Sequence, residues 1–278
     1  MHGVFLSLEG KVALITGGSR GIGAETVRLF AQAGAQVAFN YRQAREQAQA
    51  LEAECGGMGK CAALHQELET PAAGRALVEA AVAAFGRLDI LVVNHGIWPP
   101  EDAPIATMSE EQWRRTLAVN LDSVFGLVQA AVAQMERQAP NAGLETRSTA
   151  GPETGATADV AGHIVLISST AGQRGEAFHA DYAVTKGALI SLTKSLSSEL
   201  APKGIRVNCV APGWVATEMS AGTLADPSVG PKIAAGIPVG RVASPREIAG
   251  PVLFLCTPLA GFISGEVLNV NGGAVLVG

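Results

Sequence analysis

The stretch "TGGSRGIG", residues 16–23, follows an apolar, strand-length run, "KVALIT" (11–16), and opens a segment with helical spacing over 22–33. Glycines in such a turn let a ligand approach the backbone, and the N–H groups at the start of the helix favour an anion. A tight turn without a ligand would use the same residues. Because a second strand-like run, "AQVAFN" (35–40), follows the helix, the context matches the one that binds the pyrophosphate of a dinucleotide.

Short apolar runs continue to alternate with helical segments, such as the Ala/Gln/Glu-rich one at 43–55. The runs are "LDILVVN" (88–94), "HIVLIS" (163–168), "IRVNCVAP" (205–212) and "GEVLNVNGG" (265–273). Continuous apolar strands separated by helices are typical of a parallel sheet that is covered on both faces. We therefore predict an α/β fold, a Rossmann-type doubly wound parallel sheet with helices on both faces, in a single domain over residues 1–278.

Two helices between these strands carry further signals. Ser109 and Gln112 have the spacing of a capping box at the start of the helix that leads to Asn120. The segment "DSVFGLVQAAVAQM" (122–135) is apolar almost all round, so one face can cover the sheet while the other needs cover as well. A partner subunit would supply that cover, and an alanine-rich surface of low polarity is the alternative.

The segment at 138–162 breaks the alternation. It is rich in Gly, Pro, Thr and Ala and has no hydrophobic periodicity. We expect a flexible surface insertion between a helix and the strand that begins at 163.

Composition excludes several classes of protein. The 278 residues carry a net charge of −5, with 20 basic and 25 acidic side chains, and lack the basic stripe of a nucleic-acid-binding protein. The four cysteines show no CxxC pair and no metal-ligand spacing, which is typical of reduced core cysteines in a cytoplasmic protein. We expect no metal site. No signal peptide is indicated, and no apolar run reaches the ~18 residues of a membrane span.

A tyrosine and a lysine lie four residues apart in "DYAVTKGALI" (181–190), and the chain has only two tyrosines. At this spacing Tyr182 and Lys186 share one helix face. An ammonium close to a phenol favours the phenolate and tunes it as a general acid or base, by ~2–3 pKa units for a close, partly buried cation. An ordinary amphipathic helix would show the same pair.

These motifs together resemble the short-chain dehydrogenase/reductase family over almost the whole chain. "TGGSRGIG" is similar to its glycine loop, and "YAVTK" to its Tyr-x-x-x-Lys motif. Ser169 in "ISSTAG", Asn120 in "AVNLDS" and the turn Pro212–Gly213 fall where the family has its serine, asparagine and Pro-Gly. Within the family, "IPVGR…PREIAGPVLFL" and "ISGEVLNVNGG" are most similar to the 3-oxoacyl-[acyl-carrier-protein] reductases.

The resemblance implies catalytic roles for four residues. Tyr182 is the general acid, Ser169 donates a hydrogen bond to the substrate oxygen, Lys186 tunes the phenol and holds the nicotinamide ribose, and Asn120 holds a water in a proton relay. It also implies a homotetramer.

The residues expected to bind NADPH or NADP+ extend over the strand ends. They are Gly17, Gly18, Ser19, Arg20, Gly21, Ile22, Gly23, Tyr41, Arg42, Glu67, Leu68, Asn94, Gly96, Tyr182, Lys186, Pro212, Gly213, Val215 and Thr217. Tyr41 stands where NAD-specific members carry an acid that bonds the ribose 2′-hydroxyl. Arg42 and Arg20 instead offer two guanidiniums to a 2′-phosphate, so we predict a preference for NADPH.

The sequence departs from the family pattern at three places. Val93 and His95 replace two residues of the usual Asn-Asn-Ala-Gly, and Glu67 replaces the usual Asp after the third strand. The third departure is the length of 138–162. His95 could lie by the cofactor or the pocket, or it could be hydrogen-bonded into the loop, and we favour the second alternative.

We predict a substrate pocket formed by 95–101, 172–179 and 214–236, with His95, Trp98, His179 and Trp214 as candidate contacts. The leading function is an NADPH-dependent reductase of a carbonyl, most simply a 3-oxoacyl thioester that is bound to a carrier protein or to a small molecule. Alternatives are a dehydrogenase of a secondary alcohol, sugar or hydroxylated ring, and a non-catalytic NADP(H)-binding regulator. The intact set of four catalytic residues disfavours the regulator.

Overall fold

The structure, a computed structural model, describes residues 6–138 and 160–277. The strands are β1 (Val12–Ile15), β2 (Gln36–Tyr41), β3 (Cys61–His65), β4 (Ile90–Val93), β5 (Gly162–Ile167), β6 (Ile205–Pro212) and β7 (Val267–Val270). They form one sheet in the order β3-β2-β1-β4-β5-β6-β7, and every neighbouring pair is parallel. The predicted fold class is confirmed.

Helices connect these strands. They are α1 (Gly21–Gln32), α2 (Arg45–Glu54), α3 (Pro71–Phe85), α4 (Glu110–Leu117), α5 (Ser123–Gln138), α6 (Thr170–Arg174), α7 (Ala180–Leu200), α8 (Ala221–Ala225), α9 (Gly230–Ala235) and α10 (Pro245–Leu255). A π-helical turn, Ala118–Asp122, joins α4 to α5. Short 3₁₀ turns occupy Ala201–Lys203 and Pro258–Ala260.

The two faces of the sheet are covered by two separate apolar clusters. Phe30 of α1 and Ile248 of α10 are fully buried in the first cluster. Leu77 of α3, Leu127 of α5 and Leu189 of α7 are buried in the second. Since helices pack on both faces, the strands are apolar on both sides, which explains their continuous apolar runs.

The strand bounds follow the sequence pattern closely at β6, which spans the whole predicted run. At β7 the strand is shorter than the predicted 265–273. Gly265, Gly272 and Gly273 there have φ of 83°, 64° and 84°, outside the extended region, so the ladder includes only the residues between them.

The second face of α5 is covered in part by α3 of the same chain. A Cβ on Gly126 would lie 1.9 Å from the carbonyl oxygen of Pro71, and one on Gly74 would lie 2.4 Å from that of Ser123. Glycine at both positions therefore lets the two helices approach closely. The part of this face that packs on α3 therefore needs no cover from a partner subunit. Phe125 on the same helix is still 56% exposed.

The cap of α4 differs from the predicted capping box. The Ser109 hydroxyl accepts a hydrogen bond from the Gln112 backbone N–H at 3.1 Å. The Gln112 side chain does not return to Ser109, because it donates to the Asp181 carboxylate at 3.2 Å and so connects α4 to α7.

The segment Glu110–Gln138 is continuously helical and has a mean hydropathy of 1.4 in its most apolar 18-residue window. By length and composition alone, this helical segment could span a membrane. The sequence predicts no apolar run of that length. Half of the window is buried inside the fold. A core helix of a globular domain meets the same criteria of length and composition.

Most of the predicted insertion, residues 139–159, lies outside the described residues. Its two flanks are well defined. The Gln138 side chain bonds both backbone groups of Leu88, just before β4, at 2.7 and 2.8 Å. The Ala161 N–H donates to the carbonyl oxygen of Gly204, just before β6, at 2.9 Å.

Candidate active site

A cleft of about 580 Å³ lies at the carboxyl ends of the strands. From β1 the sheet grows in one direction through β2 and β3, and the chain then returns to place β4 on the other side of β1. Open α/β sheets bind ligands beside the strand at which the order reverses in this way. Most of the predicted cofactor residues line the cleft, but Gly18 and Gly23 lie behind its surface.

The glycine loop between β1 and α1 forms one wall. Gly17 has φ of 64°, and a Cβ on Gly23 would lie 2.1 Å from the Gly17 carbonyl oxygen, so both positions require glycine. The Asn40 side chain accepts a hydrogen bond from the Gly17 N–H at 2.7 Å and fixes the loop. Among the described residues, no side chain caps the start of α1. Its first N–H groups therefore remain available to a phosphate, and the residues present fit a dinucleotide.

The end of the cleft beside β2 and β3 carries charge of both signs. Arg20, Tyr41, Arg42, Glu67 and Leu68 all line it. An Arg42 nitrogen lies 3.5 Å from a Glu67 oxygen, with both side chains well exposed. Glu67 is therefore near Arg42, a pairing that the sequence did not suggest.

The opposite wall follows β6. Pro212, Gly213, Val215 and Thr217 line the cleft as predicted. A Cβ on Gly213 would lie 3.0 Å from Asn271, so this turn is tightly packed against the end of β7.

Tyr182, Ser169 and Lys186 meet in the middle of the cleft. Burial raises the pKa of Tyr182 to about 12, a hydrogen bond with Ser169 lowers it in part, and the charge of Glu176 raises it. Burial lowers the pKa of Lys186 to about 8. The expected lowering of the tyrosine pKa by Lys186 is therefore wrong for the protein residues alone, because the desolvation of the phenolate dominates.

The Lys186 ammonium has an anchor that the sequence pattern did not show. It donates a 2.8 Å hydrogen bond to the carbonyl oxygen of Ile167, at the end of β5. Two of its three N–H donors are left for other partners.

Asn120 lies in the π-helical turn between α4 and α5 and is 1% exposed. Its amide bonds both backbone groups of Ile97, at 2.8 and 2.9 Å, and donates to the Thr185 hydroxyl at 3.1 Å. The side chain therefore fixes the loop after β4 against α7. Its expected role in holding a water remains a prediction.

Ser169 also serves as the N-cap of α6, since its hydroxyl accepts a hydrogen bond from the Ala171 N–H at 3.1 Å. The cap and the contact with Tyr182 are compatible, because a hydroxyl accepts and donates at once.

The His95 side chain is hydrogen-bonded to other segments of the chain, which fixes the loop after β4. One ring nitrogen lies 2.8 Å from the Thr16 hydroxyl, and the other lies 2.8 Å from the Ser123 hydroxyl and 3.1 Å from the Val119 carbonyl oxygen. Burial, together with the charge of Lys186, lowers the pKa of His95 to about 3. The ring is neutral and engaged on both sides, so it offers no free nitrogen to a substrate.

The candidate substrate residues form an aromatic wall. Trp98 stacks on His179 at 4.7 Å and meets Trp214 edge-on at 6.3 Å. His179 is 4% exposed and bonds the Pro99 carbonyl oxygen at 3.0 Å. Trp98 and Trp214 line the cleft, whereas His179 supports Trp98 from behind.

Two charged residues on the same wall were not singled out from the sequence. Arg174 and Glu176 line the cleft, and Glu176 accepts a hydrogen bond from the Trp98 indole at 3.3 Å. Both residues lie in the segment 172–179, which the sequence predicts as part of the substrate pocket, and this is the only sequence feature that indicated them.

Comparison with known proteins identifies this arrangement. A family model described as Enoyl-(Acyl carrier protein) reductase matches residues 17–275. The 3-oxoacyl-[acyl-carrier-protein] reductase FabG of Vibrio cholerae is 37% identical over 272 residues, which cover 98% of this chain and 100% of that protein. The chain belongs to the short-chain dehydrogenase/reductase family. As a member of this family it is an oxidoreductase that acts on CH–OH or C=O groups.

Solved short-chain dehydrogenase/reductase structures with different activities are similar to the chain. One from Brucella melitensis, named a glucose/ribitol dehydrogenase, has a TM-score of 0.84 at 32% identity and covers 99% of this chain and 100% of its own. A 3-ketoacyl-(acyl-carrier-protein) reductase from the same organism, complexed with NADH, has a TM-score of 0.81 at 31% identity and covers 97% and 100%.

Proposed function

We propose that this short-chain dehydrogenase/reductase is an NADPH-dependent carbonyl reductase that converts a 3-oxoacyl thioester to the 3-hydroxyacyl thioester. The observation that carries the proposal is the meeting of Ser169, Tyr182 and Lys186 in the cleft that the glycine loop opens. The similarity to 3-oxoacyl reductases over 98% of the chain supports the substrate class.

The bound cofactor supplies the hydride in such a reaction. Ser169 donates a hydrogen bond to the carbonyl oxygen and orients it. Tyr182 donates its proton to the oxygen as negative charge develops there, and its phenol is protonated at neutral pH, as that of an ordinary tyrosine is. Lys186, held by the Ile167 carbonyl oxygen, presents its remaining N–H donors to the ribose. Asn120 keeps the loop at Ile97 in place and lines the proposed water path.

A panel assay tests this function. With NADPH, acetoacetyl-CoA, longer 3-oxoacyl-CoA and carrier-protein thioesters are compared with simple ketones and sugars by following cofactor oxidation. We expect the thioesters to have the highest kcat/KM. Turnover of ketones or sugars in clear preference to every thioester would overturn the assignment.

A polyol or secondary-alcohol dehydrogenase is the second candidate. It is favoured by the polar wall at Trp98 and Glu176 and by the similarity to a glucose/ribitol dehydrogenase. The same panel, run with alcohols and NADP+ or NAD+, separates the two functions.

The carrier-protein form of the substrate requires basic docking residues on the surface. The resemblance to the 3-oxoacyl-[acyl-carrier-protein] reductases implies Arg137 and Lys203 for this role. Lys203 is paired with Glu136, which weakens its attraction for an acidic carrier. The comparison of carrier-protein with CoA thioesters in the panel therefore decides between a carrier-bound and a small-molecule substrate.

We also propose a cytoplasmic homotetramer. The four cysteines of each chain are free thiols, which supports a location in a reducing compartment such as the cytoplasm. Phe125 and Val184 are about half exposed on α5 and α7, and Phe262 is fully exposed before β7. Large apolar side chains in such positions are typical of interfaces. Light scattering at micromolar concentration should give four times the chain mass, and a monomer would contradict the proposal.

A further inference from the structure

The loop between α6 and α7 holds a carboxylate on the substrate side of the cleft. Gly175 and Phe178 have φ of 77° and 66° in this loop, and Phe178 is strained there because a residue with a Cβ rarely adopts that conformation. The Phe178 carbonyl oxygen accepts a hydrogen bond from the Ala103 N–H at 3.0 Å. The loop is thus tied to the segment after β4, and Glu176 has a defined position within it.

One oxygen of Glu176 is engaged and the other is open. Oε1 accepts the Trp98 indole N–H at 3.3 Å. Oε2 accepts no hydrogen bond from residues 6–138 or 160–277, and it is not among the buried polar atoms without a partner. The side chain is 26% exposed and lines the same cleft as Ser169 and Tyr182. A partly desolvated carboxylate with one open oxygen is a strong acceptor for a neutral donor.

Charged groups from three directions act on this carboxylate. Burial raises the pKa of Glu176, while His179 and Arg174 lower it and Asp102 raises it. The charge of Glu176 in turn raises the pKa of Tyr182. Glu176 and Tyr182 line the same cleft, so a substrate that reacts at the phenol lies in the space that Glu176 also lines.

We propose that Glu176 is a specificity-determining residue, which accepts a hydrogen bond from a neutral donor, an amide N–H or a hydroxyl, on the part of the substrate that extends along the cleft from the reacting carbonyl. The proposal rests on the carbonyl-reductase function. It deepens that function, because a pantetheine thioester carries an amide N–H along its arm and a hydroxylated ketone carries the same chemistry on its carbon chain.

Two matched pairs of substrates test the donor directly. The first pair is the acetoacetyl thioester of N-acetylcysteamine and the same thioester with an ester oxygen in place of the amide N–H. The second is 4-hydroxybutan-2-one and pentan-2-one, which have a hydroxyl and a methyl group at the same place. The wild-type enzyme should prefer the donor-bearing member of at least one pair by about 10-fold in kcat/KM.

Three variants connect that preference to Glu176. In Glu176→Gln an acceptor oxygen is kept but the charge is lost, so the preference should fall to about 3-fold. In Glu176→Leu no acceptor remains and the preference should disappear. Because the preference is a ratio within one pair, an effect of the lost charge on Tyr182 applies equally to both members, and circular dichroism checks that the fold is kept. Glu111→Gln, on the exposed first turn of α4, removes the same charge elsewhere and should keep the full preference.

The failures are distinguishable. Equal turnover within both pairs by the wild type, or an unchanged preference in Glu176→Gln and Glu176→Leu, would overturn the role of Glu176 and leave the reductase function standing. Turnover of the ketone pair alone would overturn the thioester assignment. The preference for 4-hydroxybutan-2-one over pentan-2-one would then decide the role of Glu176. Turnover of neither pair would overturn both proposals.

Discussion

The Lys186 ammonium lies 5.7 Å from the centroid of the Tyr182 ring and donates its hydrogen bond to the carbonyl oxygen of Ile167 instead of to the phenol. The four-residue spacing thus brings the ammonium over the face of the ring without a hydrogen bond to the phenol. Burial raises the pKa of Tyr182 to about 12, so the protein residues alone make this phenol a weaker acid than an ordinary tyrosine.

The ionisation of this phenol can be measured without interference. Tyr41 and Tyr182 are the two tyrosines of the chain, so Tyr41→Phe leaves a single one. A folded-state pKa above that of an unfolded tyrosine, ~10, means that this group's contribution to stability is complete below pH ~10 and is lost as the pH rises towards about 12.

We therefore expect no tyrosinate absorbance at pH ~10 while circular dichroism shows the fold intact. Saturating NADP+ places a positive charge in the cleft and should move the onset of ionisation to lower pH. Half-ionisation of the folded, cofactor-free variant at pH ~10 or below would contradict the dominance of burial.

Replacement of Tyr182 by Phe removes the proton donor and little else. We expect kcat to fall by about 10²- to 10⁴-fold, while the Kd for NADPH, from fluorescence titration, changes by no more than a few-fold. The reason for the difference is that the glycine loop, the ends of β2 and β3 and the β6 wall also line the cleft, and the variant leaves them unchanged. A kcat within ~10-fold of wild type would show that another group is the general acid.

The sequence predicted the frame of the site because the frame depends on local patterns. Gly17 and Gly23 stand where a turn demands glycine, and the apolar run 205–212 became β6 without change. Contacts between distant segments were not predictable. Nothing local to Lys186 reveals the Ile167 carbonyl oxygen as its anchor.

Other parts of the site depended on the same kind of long-range contact. His95 is bonded to Thr16 and Ser123, which come from two other segments of the chain. The Glu176 carboxylate became a candidate only when the fold placed it beside the Trp98 indole. The sign of the pKa shift at Tyr182 was also missed, because the spacing shows the nearby cation but not the burial that outweighs it.

The insertion is expected to be dispensable for the chemistry. Its flanks are tied to Leu88 and Gly204, which precede β4 and β6, so the segment leaves from the edge of the sheet opposite the cleft. Replacement of residues 140–158 by a short Gly/Ser link should leave kcat/KM within about 3-fold. Circular dichroism and thermal unfolding check that the fold is kept. A loss above ~10-fold in a folded variant would show that the segment reaches an active site.

The preference for NADPH depends on two guanidiniums and one carboxylate. Arg20 and Arg42 line the end of the cleft beside Tyr41, where a 2′-phosphate would carry roughly −1.5 to −2 charges. The nearby Glu67 lies 3.5 Å from Arg42 in a well-exposed pair. Such a pair contributes little to stability, so a phosphate should displace the carboxylate from Arg42.

We expect the wild type to prefer NADPH to NADH by about 30- to 150-fold in kcat/KM, which corresponds to ~2–3 kcal/mol. The double variant Arg20→Ala/Arg42→Ala should lose most of this preference through a higher KM for NADPH. Glu67→Gln should raise the preference, since it removes a negative charge that competes with the phosphate. Higher salt should weaken the preference, because the groups are exposed.

Arg45→Ala is the matched control, since Arg45 is exposed at the start of α2 and does not line the cleft. It removes one guanidinium from the same region and should leave the preference unchanged. The similar 3-ketoacyl reductase of Brucella melitensis is complexed with NADH, so the family admits either cofactor and the measurement is decisive. Equal use of NADH by the wild type, or a double variant that keeps the full preference, would show that Arg20 and Arg42 do not select the phosphate.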